Sequence, residues 1–410
     1  MANEILSAEG LGLIGRDAAY EWKNNNTFLA TATRDYDRMY DANAYYNPGE
    51  TIYVRLPNNY LTQEGDSVTA KDVKEAVTPI VLEPLLSVPL TYTTTDLTTK
   101  VGMANWKKRV LYPAMRSLVS QLNLKIALKA ESQVSNYVGD ETSNINSYAD
   151  IDNAAASLDE LANSRAIKRY ASLSVRQSAS LRQSATLQNS FVEPLNREIT
   201  YTSKLGRLAD FDMFVDQSIP YHTTYTGDRS GVTVKTTVTT SGTNTIVLTG
   251  FTPNDPNVVL VGDVFEIAGV NSVNPITLAD TGVTRKWVVT ANANADAGGD
   301  ASVSVEPAII FDTDNARRNV TAAPAATNVV TFVAAHHVNM AWSEDGLCVV
   351  CPKLAPLDSP YSVTVQDPDS GYSLRLSKSA EVLDNQNIFR LDVLWGATWL
   401  DDRAVRILSL

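Results

Sequence analysis

The chain has 410 residues, 44% apolar and 20% charged, an ordinary composition for folded globular protein that excludes disorder and fibrous repeats and allows two or three domains. Lys and Arg number 34 against 46 Asp and Glu; the resulting charge of −12 opposes general attraction to nucleic acid phosphates. No run approaches 18 apolar residues, and MANEILSAEG lacks the basic and apolar parts of a secretory signal, so a cytosolic product that no membrane holds is expected.

Residues 1–48, with Leu6, Leu11, Leu13 and Ile14 followed by Tyr20, Trp22, Tyr36, Tyr40, Tyr45 and Tyr46, read as an arm. Gly10, Gly12 and Gly15 form a literal G-x-G-x-x-G, but a dinucleotide site needs a buried strand feeding the first glycine, and none precedes it. After the turn signal Asn47, Pro48, Gly49, the stretch TIYVRLP alternates as a half-buried strand does. Residues 57–78 are polar, and PIVLEPLLSVPLTYTTT then returns as an extended segment whose three prolines bar a central strand. Together these stretches read as a long two-stranded excursion hinged at 51–56 and 88–95.

From Asn105 to Val138 the rhythm becomes helical, with Leu111, Met115, Leu118, Leu122, Ile126 and Val134 on one face and Gly139 placed as the stop. Pro113 should kink or break this spine in its first third. A second helix is expected over 148–162, with Ile151, Ala155, Leu158 and Leu161 inward, then RYASLS as a strand and SVRQSASLRQSATLQ as a helical stretch.

Residues 228–333 differ in composition, rich in Val, Thr, Gly and Asn and without a helical period. Strands are expected at VTVKTTV, TNTIVLTG, VGDVFEIAG, TRKWVVTA, ASVSVEP and VVTFVAA, as a small barrel or sandwich inserted into the surrounding α+β sequence. Strand-like runs return at CVVC, YSVTVQ, YSLRLSKS and FRLDVLWG before an apolar tail. Cys348 and Cys351, the only cysteines, lie in that Val-rich run ending at Pro352 and read as small buried hydrophobes rather than a redox or zinc pair.

Catalytic signatures are missing. The three histidines, His222, His336 and His337, form no H-E-x-x-H, and there is no G-x-S-x-G and no P-loop. Asp367, Asp369 and Gly371, like Asn294, Asp296 and Asp300, begin as calcium loops do, but Lys378 stands where the first needs its closing acid; both read as hairpin turns, and no metal or cofactor is expected. The adjacent Asp401 and Asp402 read as a solvated surface pair.

The order of arm, excursion, proline-interrupted spine, α+β block, β insertion and β tail resembles the major capsid proteins of tailed bacteriophages, above all the podovirus-type coat proteins that carry an inserted β-barrel domain. The stretches GETIYVRLPNNYLTQEGDSV, VLYPAMRSLVSQLNLKIA, KLGRLADFDMFVDQSIPYHTT and VVTANANADAGGDASVSVEPAIIFDTDN carry the resemblance, which covers nearly the whole chain from Gly49. It implies an α+β capsid fold: an N-terminal arm at 1–48, an extended loop with flanking strands at 49–96, a peripheral domain at 97–199 holding the spine helix, an axial domain from 200–227 and 334–410, and the inserted domain at 228–333.

The resemblance further implies a shell built from hexamers and pentamers around packaged DNA, held only as non-specific contents. Assembly is implied in the host bacterial cytoplasm with a scaffolding protein and a portal, and with a decoration protein as a further partner. In such proteins the extended loop lies across a neighbouring subunit, so Glu64, Asp66, Lys71, Asp72, Lys74 and Glu75 are candidate inter-subunit contacts; the same residues also suit plain solubility. Rival readings are a tail or adhesin component holding carbohydrate on the β module, an encapsulin-like cargo shell, and an enzyme resting on the glycine or cysteine motifs. Trp287, Phe251, Phe265, Phe311 and Phe332, the only aromatic residues of that module, fall mostly within or at the ends of expected strands, so no sugar platform is evident.

Overall fold

The computed structural model describes Gly15, Ala18 and residues 27–33, 49–56, 58–62, 66, 77–93, 107–184, 205–357, 361–366, 373–381 and 386–410. A helical turn, α1 (Phe28–Thr31), precedes a two-stranded ribbon of β1 (Thr51–Arg55) and β2 (Val77–Val81). The rest of the excursion departs from expectation: β3 (Leu86–Thr93) pairs residue for residue with a later strand at 386–393, so the return hinge lies at β2 rather than at 88–95. Pro89 is accommodated because β3 is the edge strand of its sheet, where a missing N–H breaks no ladder.

Lys107–Leu111 forms a wide π-helical turn that passes into α2 (Tyr112–Gln133). Pro113 comes just after this turn, so the regular helical winding is interrupted where the proline has no N–H to give to the turn before it. The expected stripe is buried, from Leu111 through Ile126 to Val134, but α2 ends five residues short of Val138. The chain is pulled out of the helix when the Ser135 N–H and hydroxyl donate to Asp401, and β4 (Tyr137–Gly139) then runs parallel to a C-terminal strand at 404–408. Val134 keeps the apolar rhythm after the helix has ended, which is why the period overruns. Gly139 is not a helix stop: its φ is +91°, and a Cβ there would lie 2.9 Å from the Leu408 carbonyl oxygen.

Helix α3 (Tyr148–Glu160) opens on a capping box in which Ser147 accepts from the Asp150 N–H and Asp150 from the Ser147 N–H. Next come β5 (Arg169–Ser174), α4 (Val175–Arg182), β6 (Arg207–Leu208) and β7 (Phe211–Asp216). The strand β8 (Tyr221–His222) leads into the insertion.

All six strands expected in the insertion are present: β9 (Thr233–Val234), β10 (Thr243–Thr249), β11 (Val264–Val273), β12 (Asp280–Val289), β13 (Asp300–Ile309) and β14 (Val330–Phe332). They follow the order β14-β11-β12-β13-β10-β9, and a bridge between Thr233 and Val329 joins the two ends, making a closed barrel. Closure removes every free edge. Trp287, Phe265, Ile267, Val303 and Leu248 fill the interior, as period-2 alternation requires of inward positions.

The insertion returns through β15 (His336–His337) into β16 (Asn339–Ser343) and β17 (Leu347–Val350), followed by β18 (Ser362–Gln366), β19 (Ser373–Glu381), β20 (Gln386–Val393), β21 (Gly396–Trp399) and β22 (Ala404–Leu408). Contacts divide the chain into two units. One draws on Met1–Val54, Thr78–Ile126 and Cys348–Thr398 and contains the antiparallel sheet β18-β19-β20-β3. At its centre Asp392, fully buried, pairs with Arg375 at 2.7 Å and with Arg390.

The other unit draws on Arg55–Val77, Ala127–Leu347 and Trp399–Leu410. Besides the barrel it holds the six-stranded sheet β4-β22-β16-β5-β7-β6, against which Ile151, Ala154 and Leu158 of α3 pack over Leu173, Phe211 and Ile407. Because β5 is hydrogen-bonded between β16 and β7, the α+β block shares its sheet with strands from 207–216 and 339–343, while the first turns of the spine fall in the other unit. No helix among the described residues is long and apolar enough to cross a membrane.

Candidate functional site

Of the six charged residues nominated in the extended loop, Asp66 is the one the structure describes, exposed at a bend; Glu64, Lys71, Asp72, Lys74 and Glu75 lie outside the described residues. The ribbon below them alternates, with Val54 and Ile80 fully buried while Tyr53 is 59% exposed, Val77 48% and Val81 40%. A two-stranded ribbon has little stability of its own in water, and an exposed apolar face is a feature that contact with another chain would cover.

The second place where chemistry concentrates is the neck of the barrel, which the sequence reading missed. The strands β8 and β15 pair antiparallel, with His222 opposite His336 and Tyr221 opposite His337. Every histidine of the chain thus sits in this pair, a signal present in the sequence as three histidines bracketing the insertion. His222 is buried; its Nδ1 is hydrogen-bonded to the Glu131 carboxylate at the end of α2, and its Nε2 lies 2.9 Å from Asp263 Oδ1 at the start of β11. Asp263 Oδ2 accepts from the Leu260 N–H at 2.9 Å and is paired with Arg229 at 2.8 Å. Arg229 in turn lies over the Phe332 ring, 4.7 Å from its centre.

Arg406 of β22 enters the same cluster fully buried, its guanidinium donating to the carbonyls of Gly262 and Glu131. His336 lies with its ring 5.5 Å from that of His222 and its Nδ1 2.7 Å from the Ala334 carbonyl. Burial pushes the pKa of His336 down to about 4, so Nδ1 donates as part of a neutral ring. Burial, together with Arg176, also lowers that of His337.

Asp401 differs from its reading as a solvated residue. Its Oδ1 accepts from the Ser135 N–H at 2.6 Å and its Oδ2 from the Ser135 hydroxyl at 2.9 Å and from Arg285 at 3.0 Å, tying the end of α2 and the barrel strand β12 to the turn before β22. Cys348 and Cys351 are buried, as expected of small hydrophobes. Asp296 Oδ1 accepts from the Gly298 and Asp300 N–H groups, which makes its loop a hydrogen-bonded turn. The other calcium-like stretch, and Gly10 and Gly12, lie outside the described residues. In the barrel, Trp287, Phe265 and Phe251 are buried and Phe311 and Phe332 pack against the core, so the rings that a carbohydrate platform would use are spent on packing.

A family model described as P22 coat protein, gene protein 5, matches residues 36–407. No curated protein matches the sequence. Among solved structures, similarity extends to one from Mycobacterium phage Che8, with 10% identity, 93% of this chain and 90% of that chain covered and a TM-score of 0.45. The head structure of Helicobacter pylori bacteriophage KHP40 matches at 9% identity, with 88% and 85% covered and a TM-score of 0.44. The CUS-3 coat protein I-domain matches at 25% identity, covering 26% of this chain and 98% of that one, with a TM-score of 0.19.

Proposed function

Since the chain belongs to the P22 coat protein family, and is therefore a major capsid protein that forms a phage head shell, we propose that its loop at 49–96 is the part by which one copy overlaps the next. The family match over residues 36–407 carries the shell-forming role, and the exposed face of the β1–β2 ribbon supports the overlap. Apolar side chains that water serves poorly in the single chain become covered in a lattice of identical copies. Glu64, Asp66, Lys71, Asp72, Lys74 and Glu75 then steer the contact, whose mixed charge favours reversible, salt-sensitive pairing over a permanent core.

Copies join as hexamers and pentamers, and many weak linked contacts hold a closed shell while letting misplaced subunits leave. Assembly takes place in the host cytoplasm with a scaffolding protein and around a portal. The shell encloses double-stranded DNA, and the acidic balance of the chain suits a wall that does not grip phosphate. The six-stranded sheet supplies the axial part of each subunit, and the four-stranded sheet with the early spine helix the peripheral part.

Electron microscopy of the full chain, expressed alone and together with the scaffolding protein of the same phage, tests this reading. Closed polyhedral shells are the expected result; persistent monomers under both conditions overturn it.

A further inference from the structure

Both ring nitrogens of His222 face carboxylate oxygens, Glu131 on one side and Asp263 on the other. An ionised carboxylate only accepts, and a neutral imidazole has a single N–H, so the two contacts are satisfied together only by the imidazolium. The carboxylates come from the two bodies that the neck joins, Glu131 from the spine helix and Asp263 from the barrel. Asp263 is fully buried, and Arg229 and the Leu260 N–H fix its other oxygen, so it cannot turn to another partner when the proton leaves.

We propose that the neck is a proton-gated clamp: protonated His222 bridges Glu131 and Asp263 and seats the barrel against the end of the spine helix, and loss of that single proton releases the seat. The groups facing His222 are Glu131 from α2, Asp263 and Arg229 from the barrel side, His336 from β15 and Arg406 from β22. Burial holds His336 neutral, which leaves His222 as the ring of the pair that changes state.

Burial draws the pKa of His222 down, but the hydrogen bonds to Asp263 and Glu131 outweigh it and leave it above the ordinary imidazole value of 6.5. A folded-state pKa that is raised gives a contribution complete below about 6.5 and lost as pH climbs through the folded value. Above that value the clamp weakens about tenfold per pH unit.

The test uses the unassembled full chain, labelled at histidine so that three ring signals are read by NMR, with His222→Gln identifying the first. The expected result is a His222 ring titrating above 6.5, while His336 remains neutral. Amide hydrogen exchange over 221–222, 260–264 and 336–338, corrected for intrinsic rates, is then followed from pH 6 to pH 9. Wild-type opening is expected to rise about tenfold per pH unit above the His222 pKa. The His222→Gln chain is expected to be at least tenfold more open at pH 6 and to show no such rise. Should that variant fail to fold, Glu131→Gln, at the more exposed end of the bridge, gives the same reading. A His222 ring that titrates at or below 6.5, or one pH profile shared by wild type and variants, overturns the proposal. Neither measurement involves shell formation, so its failure leaves the capsid role untouched.

Discussion

The Asp401 carboxylate serves Ser135 and Arg285, and both partners are far from it in sequence. Adjacent acids usually mark a wetted surface, and nothing within ten residues of Asp401 announces otherwise; the partners arrive only through the fold. Asp401→Asn keeps the shape but withdraws the charge from Arg285, whose side chain is 4% exposed. A loss of about 3 kcal/mol is expected, read as a lower urea midpoint at unchanged slope. A change smaller than about 0.5 kcal/mol would restore the view of Asp401 as a surface residue. The histidines teach the converse lesson. Read by motif they are three residues that fail to make a zinc site, whereas read by position they flank the insertion on both sides, and position was the informative property.

Elements whose signal is local were legible in the sequence. The barrel strands follow from alternation and turn residues, and α3 from its apolar stripe between 148 and 162. Where the sequence misleads, a distant partner intervenes, as at the end of α2, where the periodicity continues through Val134 although the backbone has left the helix to pair with β22. Gly139 separates the two accounts experimentally. An ordinary helix stop accepts Asn in place of Gly. Here any side chain meets the Leu408 carbonyl while held at φ +91°, so Gly139→Asn should lower stability by about 2 kcal/mol in thermal or urea unfolding. A near-neutral result would return Gly139 to the role of helix stop.

At the scale of the whole molecule, the order of segments was readable but their grouping was not. Strand pairs such as β5 with β7 and β16, or β3 with β20, join stretches that no periodicity relates, so which segments share a sheet could not be read along the chain. The loop charges belong to this scale too, since their effect is expected between molecules. Asp66 is exposed, so Asp66→Lys should leave the unfolding free energy of the monomer within about 0.5 kcal/mol of wild type. The same change should slow shell formation at low salt and shift its salt dependence, followed by light scattering; assembly curves identical to wild type at every ionic strength would leave Asp66 with solubility alone. The paired neck carries a different consequence. Since β8 and β15 are hydrogen-bonded neighbours, the chain passes out to the barrel and back from it through two strands about 5 Å apart. The region between them is in effect a cassette, and any foreign domain whose own termini lie that close could be grafted in without stretching its host. Such a graft must bring a carboxylate to the place of Asp263, or it strands a buried imidazole beside an arginine.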